Sequence, residues 1–563
     1  MANILAFALS ILPLLVHAGA PYCIPGQHCF PSQTILTRFN ASINGRLLAP
    51  RPYADICYGQ TFNNAACSNL VANQGNEDFR ASLPAALMYT QNELLPNGTG
   101  CTTPATAPTE PLTGDCELGA LASFVVDAAT TEHISLAVKF AAKYNLRLRM
   151  KCSGHDYFGR STAPGAFTIW THNLNSTEFL ESFRPSGCNT SYSVIGVEAG
   201  VPDLALYAAG AASNTVGVGG FDPTVCAAGG WGIGGGAAGP WAPQFGMGVD
   251  NIVQFDVINA AGQMETANAC TNPDLFWALL GGGGAFGVVT KAYFKAHPAF
   301  TAVNVVAGTL TANSTETYGN LIQIFLDSHP MFQEQNFTWL WETSPPTVAM
   351  SFNVGFLDSA IAPSADETFT LFQNLTAIPG VTSQLTAIQF PNWSEAYVNV
   401  VEPITNTGNV VGVNIGLTSR VVAQEQMLSQ DGRDKIADFI IGLPSGIPFI
   451  FQKVGGGAVL EVATDATAVN PAFRSSFGYI DVPIFGSTPG YTATQNGTID
   501  SILAQEDEVF GTAAYYNENT VRQLNWQEAY WGSNYPRLFK IKSVVDPEGV
   551  FSCVQCVGSE NGW

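Results

Sequence analysis

Residues 149–161 read RMKCSGHDYFGRS and continue an alternating segment, LRLRMK, that starts at Leu146. The alternation predicts a β-strand that runs directly into the loop. The loop places His155, one of only seven histidines, in a Ser-Gly turn between Arg149, Lys151 and Arg160. Cofactor crevices form where the strands of α/β units end, so the loop is either an incidental surface turn or a cradle for a phosphate-bearing cofactor with a chemical role for His155. A short motif alone does not decide between them.

The segments around this loop predict an α/β region. SFVVDAATT before it predicts a strand, and TEHISLAVKFAAKYN predicts a helix with apolar positions at Ile134, Val138 and Ala141 and with Thr131 as its cap. FTIWTHNL, YSVIGVEAG and IVQFDVINAAGQMETA predict further strands, the last with a turn at 261–263. DLFWALLGGGGAFGVVTKAYF predicts a helix, a glycine turn and a strand.

The N-terminus indicates export. Residues 1–20 combine an apolar run with the small-residue end Ala18-Gly-Ala20, typical of a secretory signal peptide, although no Lys or Arg precedes the run. The run is short and contains Pro13, so a membrane span is not predicted, and no later apolar segment reaches its length. A Cys-, Pro- and Asn-rich extension over 21–115 follows, with little periodicity.

Cysteines, sequons and charge agree with a secreted, N-glycosylated protein. The twelve cysteines include the close pairs Cys23/Cys29, Cys57/Cys67, Cys101/Cys116 and Cys553/Cys556, which predict disulfides. The N-x-S/T sequons fall at Asn40, Asn97, Asn175, Asn189, Asn313, Asn336, Asn374, Asn392 and Asn496. The net charge of −22 and the pI near 4.6 disfavour binding to nucleic acid and to anionic membranes.

Past residue 300 the pattern changes. Alternating strands such as TWLWET and VAMSFNVGF are interleaved with helical segments, ETYGNLIQIFLDS and DETFTLFQNL, which predicts an α+β second domain. The C-terminal stretch is aromatic and Asn-rich, and Asp546-Pro547 stops any regular structure near its end.

Two glycine clusters need an explanation, because glycine is entropically costly to order. GGWGIGGGAAG contains G-x-G-x-x-G at Gly234, Gly236 and Gly239, but Pro240 and Pro243 follow at once, so the helix that a Rossmann fingerprint must open is blocked. No glycine cluster is followed by Lys-Ser/Thr, which excludes a Walker A loop. With the second cluster, Leu280–Gly287, the favoured interpretation is backbone laid against a large flat or phosphorylated ligand; the alternative is two flexible turns.

The sequence contains no motif for a metal centre or for a serine nucleophile. No H-E-x-x-H is present, and Cys553-x-x-Cys556 has no histidine partners, so no metal site is predicted. No G-x-S-x-G nucleophile elbow occurs either.

Together, KCSGHDYFGRS, AAGGWGIGGG, GGGGAFGVVT and the C-terminal Tyr515-x-Asn517-Glu with WGSNYPRLFKIK resemble secreted fungal FAD-linked oxidases. These form the berberine-bridge-enzyme-like branch of the vanillyl-alcohol-oxidase family, and isoamyl-alcohol-oxidase-like sequences look most similar. The resemblance covers nearly the whole chain and implies an α+β fold. Its parts would be a PCMH-type FAD-binding domain of two α/β subdomains (116–297), a substrate domain with an antiparallel sheet flanked by helices (298–505), and a C-terminal segment (506–563) that returns to the flavin domain.

The resemblance also implies the cofactor and its contacts. In the family, the histidine at the position of His155 is bonded to the 8α-methyl carbon of FAD. A neutral imidazole is a competent nucleophile for that bond, and nearby N–H groups and cations suit the pyrophosphate. The residues expected to bind the cofactor are Arg149, Lys151, Cys152, Ser153, Gly154, His155, Asp156, Gly159, Arg160, Ser161, Thr224, Val225, Gly229, Gly230, Gly234, Gly235, Val249, Asn251, Gly287, Val288, Asn534 and Tyr535.

One position departs from the family pattern. Many relatives attach the flavin a second time, through the cysteine of a Cys-Pro-Thr-Val-Gly segment, where this chain reads Asp222-Pro-Thr-Val-Cys226. A carboxylate cannot form the thioether, so a single link through His155 is expected. Cys226 is expected to be buried or disulfide-bonded; a local shift that brings it to the flavin is the alternative. An inward-facing Asp222 would lower the flavin potential.

For catalysis, Tyr515 matches a base or positioning hydroxyl, and Asn517 a hydrogen-bonding partner. A tyrosine needs nearby positive charge to act as a base. Three hypotheses remain: an oxidase of an alcohol, carbohydrate or secondary metabolite that reduces O₂ to H₂O₂, a dehydrogenase or oxidative cyclase of natural-product biosynthesis, or a catalytically silent flavin-binding protein. The substrate is a small molecule of unknown identity, and a monomer is assumed.

Overall fold

The computed structural model describes residues 22–334, 338–343, 349–358, 364–370, 372–404, 410–486 and 492–561. The predicted signal peptide and the sequon at Asn336 lie outside them. In the described part, no helix combines the length and apolarity needed to cross a membrane.

The His155 loop leaves a small four-stranded sheet, whose strands are β1 (Leu47–Leu48), β2 (Phe124–Asp127), β3 (Leu148–Lys151) and β4 (Phe167–Trp170). The order is β1-β2-β4-β3, with β2 and β3 parallel to β4 and β1 antiparallel to β2. The helix Thr131–Lys143 follows β2 as predicted. Its cap, however, is Thr130, whose hydroxyl accepts from the His133 N–H, and not the predicted Thr131.

The N-terminal extension is more regular than its composition indicates. Phe39 stacks on Phe140 of the Thr131–Lys143 helix at a centroid distance of 4.1 Å, and β1 joins the first sheet. This part of the chain therefore packs into the core around the first sheet, and three disulfides cross-link it. Its α-helices are Gln33–Ser42, Asn64–Asn73 and Glu77–Ala81, and its 3₁₀-helices are Tyr53–Cys57, Gly59–Thr61 and Thr90–Glu93.

A second subdomain is built on a five-stranded antiparallel sheet in the order β5-β6-β10-β8-β9, with β7 and β11 pairing separately. The strands are β5 (Thr177–Phe183), β6 (Tyr192–Glu198), β7 (Thr215–Val216), β8 (Ile252–Ile258), β9 (Met264–Asn268), β10 (Val288–Lys295) and β11 (His297–Pro298). The α-helices are Asp203–Ala212, Ala242–Phe245, Gly248–Asn251 and Pro273–Leu279, and Ala227–Gly232 forms a π-helical turn. No helix begins within Gly234–Gly239, in agreement with the rejection of a Rossmann turn.

The third unit is an eight-stranded antiparallel sheet in the order β15-β12-β14-β13-β18-β19-β17, with β16 also paired to β12. The strands are β12 (Val303–Ala312), β13 (Thr338–Thr343), β14 (Ala349–Asp358), β15 (Val381–Ser383), β16 (Thr386–Phe390), β17 (Asn414–Ala423), β18 (Phe449–Gln452) and β19 (Ser476–Gly486). The α-helices are Thr315–Asp327, His329–Glu334, Ala365–Thr370, Gln373–Thr376, Trp393–Ala396, Gln424–Leu428, Gln430–Gly442 and Ala493–Phe510. Short turns are the π-helical Tyr397–Val401 and the 3₁₀-helical Gly457–Val459 and Pro471–Ser475. This matches the predicted α+β substrate domain.

The C-terminal segment packs against the second glycine cluster. The Trp531 indole N–H donates to the Gly281 carbonyl at 3.0 Å, and Lys542 Nζ donates to the Ala285 carbonyl at 2.8 Å. The segment therefore holds the second glycine cluster in place. Its helices are Trp526–Trp531, Gly532–Asn534, Tyr535–Val545 and Ser559–Asn561.

All twelve cysteines lie in described residues and are paired. The four close pairs predicted from the sequence are confirmed, and the other two disulfides are Cys152–Cys226 and Cys188–Cys270.

Candidate active site

A cavity of about 360 Å³ lies where the first two sheets, the large sheet and the C-terminal segment meet. It brings together most of the predicted cofactor residues and both predicted catalytic residues. The predicted residues on its wall are Arg149, Lys151, Cys152, Ser153, Gly154, His155, Asp156, Arg160, Ser161, Val225, Gly229, Gly230, Gly287, Val288, Tyr515 and Asn517.

The other predicted residues lie off the wall. Gly159 turns within the loop at φ +77°, Thr224 reaches the site through His155, and Gly235 packs beside Tyr515. Gly234 makes room for Asn517, because a Cβ there would stand 2.0 Å from the Asn517 Oδ1 atom.

Four residues that were predicted to bind the cofactor do not line the cavity. Val249 is buried in the apolar core, and Asn251 Nδ2 donates to the carbonyls of Phe245, Gly246 and Met247. Asn534 Nδ2 is likewise shared among backbone carbonyls, of which Val469 is the nearest at 2.8 Å, and the Tyr535 hydroxyl bonds to Glu560. The side-chain amides of Asn251 and Asn534 hold the backbone in place, and the structure puts all four residues away from the cavity wall.

The His155 loop is shaped by one carboxylate. Asp156 Oδ1 accepts the N–H groups of Phe158 and Gly159 at 3.0 and 2.9 Å, and Oδ2 accepts that of Ser161 at 2.7 Å. Asp156 lines the cavity, but its carboxylate orders the loop, as Asp side chains do in turns.

His155 sits in a polar cluster within a buried wall. Its Nε2 lies 2.6 Å from Thr224 Oγ1 and 3.3 Å from Asp222 Oδ1. Burial lowers the pKa of His155 below its ordinary value, Asp222 opposes this shift, and Lys151 adds to it. The imidazole is therefore neutral at physiological pH, as a nucleophile must be.

Cys226, for which the sequence left two alternatives, forms a disulfide with Cys152. This disulfide links the end of β3 to the residue that begins the π-helical turn, and both cysteines line the cavity. A sulfur in a disulfide is not available for a thioether, so the arrangement agrees with the expected disulfide and not with a Cys226–flavin link.

Two arginines present buried donors that no described residue satisfies. Arg149 Nε and Arg160 Nη2 are both without a partner in the described part of the chain, and both residues line the cavity. The Arg160 guanidinium is held over the Tyr516 ring at 3.8 Å and donates through Nη1 to the Tyr516 carbonyl at 2.7 Å. Lys151 differs: its Nζ donates to the Leu83 carbonyl at 3.0 Å, and burial lowers its pKa to about 7. The positive charges of Arg149 and Arg160 on the cavity wall suit the pyrophosphate of a dinucleotide.

Two of the wall glycines, Gly230 and Gly284, leave room for a ligand. A Cβ at Gly230 would meet no protein atom within 4 Å, and one at Gly284 would meet only the Met150 Cε atom at 3.7 Å. Neither residue has a positive φ, so neither the backbone conformation nor protein packing requires glycine here. The empty volume in front of them and the two arginine side chains on the wall fit a large phosphorylated cofactor such as FAD.

The Tyr515-x-Asn517 motif is docked on the first glycine cluster. The Tyr515 hydroxyl oxygen accepts from Asn517 Nδ2 at 2.9 Å and from the Ala237 N–H at 3.3 Å, and Asn517 Nδ2 also donates to the Gly230 carbonyl at 3.4 Å. Burial raises the pKa of Tyr515, and the negative charge of Glu518 raises it further. The positive charge that a tyrosine base needs is not among the causes of this shift.

A buried carboxyl pair faces the same cavity. Asp481 on β19 and Glu518 after the Tyr-x-Asn motif both line the wall, and the negative charge of Glu518 disfavours ionisation of Asp481. The Tyr479 hydroxyl donates to Glu518 Oε2 at 2.7 Å, and Gln452 Nε2 donates to Asp481 Oδ2 at 2.9 Å. Burial raises the pKa of Glu518 to about 7 and that of Asp481 well above its ordinary value.

Sequence reasoning missed the part of the site that the large sheet supplies. Strands β13, β17, β18 and β19 place alternate residues on the cavity, as the period of two requires. That alternation was the available signal. The lining residues from these strands are Leu340, Glu342, Ile415, Leu417, Ile450, Gln452, Asp481, Pro483 and Phe485. Tyr89, from the N-terminal extension, also lines the cavity and was missed.

The chain matches two family models, one described as FAD binding domain over residues 122–268 and one as berberine and berberine like over residues 514–558. It is 31% identical to an FAD-linked oxidoreductase of Arthroderma benhamiae, over 99% of this chain and 98% of the relative. It is 32% identical to the FAD-linked oxidoreductase easE of Trichophyton verrucosum, over 96% of this chain and 90% of the relative.

A solved structure shares the fold. The VAO-type flavoprotein MtVAO615 of Myceliophthora thermophila superposes with a TM-score of 0.82 at 24% identity, over 96% of this chain and 98% of the other. With the cavity and the Tyr-x-Asn segment in place, these similarities identify the chain: it belongs to the FAD-linked oxidoreductases, with an FAD binding domain and a berberine-like C-terminal segment, and it shares its fold with a VAO-type flavoprotein.

Proposed function

We propose that the protein is a secreted oxidase that uses singly linked FAD to remove a hydride from an apolar alcohol or amine and reduces O₂ to H₂O₂. The observation that carries the proposal is the shared cavity. His155, the glycines Gly230 and Gly284, and the carboxyl pair Asp481 and Glu518 all line it. When bound, FAD supplies the hydride acceptor and the electron path to O₂.

The proposed single link rests on His155 and on what surrounds it. A solved glucooligosaccharide oxidase of Acremonium strictum is described as holding its FAD by 6-S-cysteinyl and 8α-N1-histidyl bonds. In this chain His155 is the candidate for the histidyl bond. Asp222 replaces the expected cysteine and Cys226 is paired with Cys152, which supports one link and not two. Arg149, Arg160 and the wall glycines would hold the remainder of the cofactor.

We assign the general base to the carboxyl pair. A base must be partly ionised at working pH, and Glu518, with a pKa of about 7, meets that condition, whereas Tyr515 does not. Gln452 and Tyr479 hold the two carboxyl groups in place, so the pair can accept a proton from a substrate O–H or N–H without moving. Tyr515 and Asn517 then act as positioning groups between the glycine cluster and the substrate.

The substrate half of the cavity favours an apolar molecule without anionic groups. The wall contributed by residues 298–505 is mostly aliphatic, and its polar members are Glu342, Gln452 and Asp481. Lys and Arg on the described wall come only from the flavin domain, at Arg149, Lys151 and Arg160. A sugar would leave many hydroxyl groups without partners against such a wall, at a cost of roughly 1–3 kcal/mol each. An anionic substrate would meet carboxylates.

Secretion and N-glycosylation are supported by the six disulfides and by the position of the sequons. The asparagines Asn97, Asn175, Asn189, Asn313 and Asn374 are exposed, as acceptors must be.

The test is peroxide release by protein purified from culture medium, with panels of apolar amines, apolar alcohols, anionic aromatics and oligosaccharides. We expect H₂O₂ from one of the first two panels and reoxidation of the reduced flavin by air within seconds. Turnover of oligosaccharides alone would contradict the substrate class. Reduction without reoxidation would indicate a dehydrogenase, and no reduction by any panel would favour a silent flavin protein.

A further inference from the structure

The N-terminal extension places a carboxylate beside His155. Glu77 begins the helix Glu77–Ala81 and is only 6% exposed. Its Oε2 lies 3.0 Å from Thr224 Oγ1, which in turn lies 2.6 Å from His155 Nε2. Asp222 completes the cluster, with its Oδ1 3.0 Å from the same hydroxyl.

Hydrogen counting assigns the histidine tautomer. The Thr224 hydroxyl has one hydrogen to donate, and both carboxylates that it contacts are acceptors. With that hydrogen given to Glu77 or Asp222, the hydroxyl oxygen must accept from His155, so the imidazole proton is on Nε2. The lone pair is then on Nδ1, the nitrogen that is available to form a bond to carbon.

The same extension holds the backbone on both sides of His155. The Met88 N–H donates to the Gly154 carbonyl at 2.9 Å, and Asn92 Nδ2 donates to the Asp156 carbonyl at 2.7 Å. Within the extension, Arg80 Nη2 and Glu93 Oε1 form a buried ion pair at 2.8 Å. Arg80 Nε also donates to the Leu87 carbonyl at 2.7 Å, so the chain between Arg80 and Glu93 is held in place. Glu77 is thus delivered by a rigid element and not by a free tail.

We propose that Glu77 is a positioning residue for attachment of the flavin: through Thr224 it selects the Nε2–H tautomer of His155 and, with Asp222, receives the imidazole proton. This inference rests on the proposed covalent link. In the net reaction, a bond forms between His155 Nδ1 and the 8α carbon, while one C–H bond of the methyl group and the imidazole N–H bond break. The two electrons and two protons released reduce one O₂ to H₂O₂. The N–H proton passes from His155 through the Thr224 hydroxyl to Glu77.

The experiment follows the covalent link directly. Wild type and Glu77→Gln are incubated with excess FAD in air, samples are precipitated in acid, and the flavin retained by the polypeptide is measured against time by mass spectrometry. Total FAD content before precipitation and the melting temperature report binding and folding. Asp78→Asn is the matched control, because Asp78 is the next residue of the same helix and is exposed. Thr224→Val and Thr224→Ser remove and retain the bridging hydroxyl.

We expect Glu77→Gln and Thr224→Val to bind FAD and melt like wild type while attaching it at least 10-fold more slowly. Asp78→Asn and Thr224→Ser should attach it at the wild-type rate. Equal rates in wild type and Glu77→Gln would overturn the inference and leave the covalent link intact. Flavin that is bound but acid-labile in wild type would instead overturn the link itself.

A cation is the competing explanation, because the ligand atoms of Glu77, His155 and Asp222 lie within 4.8 Å of one another. Attachment that stops in EDTA and resumes with Zn²⁺ or Mn²⁺ would overturn the assignment of Glu77 as a proton acceptor. A rate unchanged by EDTA supports it.

Discussion

Removing the Cys152–Cys226 disulfide should weaken the fold without releasing the flavin. The disulfide closes a loop with a sequence separation of 74 residues. Loop-closure entropy for that length gives an upper value of roughly 4.5 kcal/mol for the loss in unfolding free energy in Cys152→Ala/Cys226→Ala. Attachment should persist, because Asp156, Met88 and Asn92 hold the His155 loop independently of the disulfide.

The assay compares urea unfolding, followed by tryptophan fluorescence under non-reducing conditions, with acid-stable flavin in the same samples. Cys188→Ala/Cys270→Ala is the control, since its separation of 82 predicts almost the same entropy and neither cysteine lines the cavity. We expect both variants to lose 2–4.5 kcal/mol, in the range of roughly 2–5 kcal/mol seen for native disulfides, and to keep the flavin. If only the Cys152/Cys226 variant released its flavin, or if its stability were unchanged, the reasoning would be refuted.

Three further predictions concern the wall and the buried acids. Glu518→Gln should lower kcat by roughly 10²–10⁴-fold with little change in KM. Wild-type kcat/KM should fall about 50-fold between pH 7 and pH 5, because a base with a pKa of about 7 goes from half ionised to about 1% ionised. A pH profile without this fall would exclude the carboxyl pair as the base. Gly230→Leu should fold but bind no FAD, shown by lost absorbance near 450 nm, whereas Gly442→Leu, which also meets open space, should bind it normally. Burial raises the pKa of Glu506 from 4.5 to about 7, so the folded state holds this proton more tightly than the unfolded state, and the associated stability of about 3 kcal/mol is lost as pH rises from 4.5 to 7. Glu506→Gln should flatten that part of the melting-temperature profile, and an unchanged slope would contradict the assignment.

The flavin domain was accessible from sequence because its signals are local. Local sequence predicted β2, β3 and β10, with alternation as the signal for β3, and it also predicted the short helix Pro273–Leu279. The His155 loop was found because a Ser-Gly turn, an Asp and flanking cations lie within thirteen residues. These features need no knowledge of the distant chain.

Interactions between residues that are far apart in the sequence were harder to predict. Asp481 and Glu518 become a pair of interacting buried carboxyl groups only when β19 and the C-terminal segment meet, and nothing in either local sequence indicates the other. Tyr515 was a reasonable base by motif, but its surroundings are negative and buried, which only the fold reveals. Glu77 lies in a region with little periodicity, and its approach to Thr224 depends on the packing of the extension against the loop.

The most direct test of the account is mass spectrometry of the tryptic peptide Cys152–Arg160, which contains a single histidine, from reduced protein that was secreted with its flavin. We predict that this peptide carries the mass of one FAD less two hydrogens, with fragment ions that place it on His155, and that the peptide containing Cys226 carries none. A properly folded, flavin-loaded sample in which the Cys152–Arg160 peptide is unmodified would contradict the central claim.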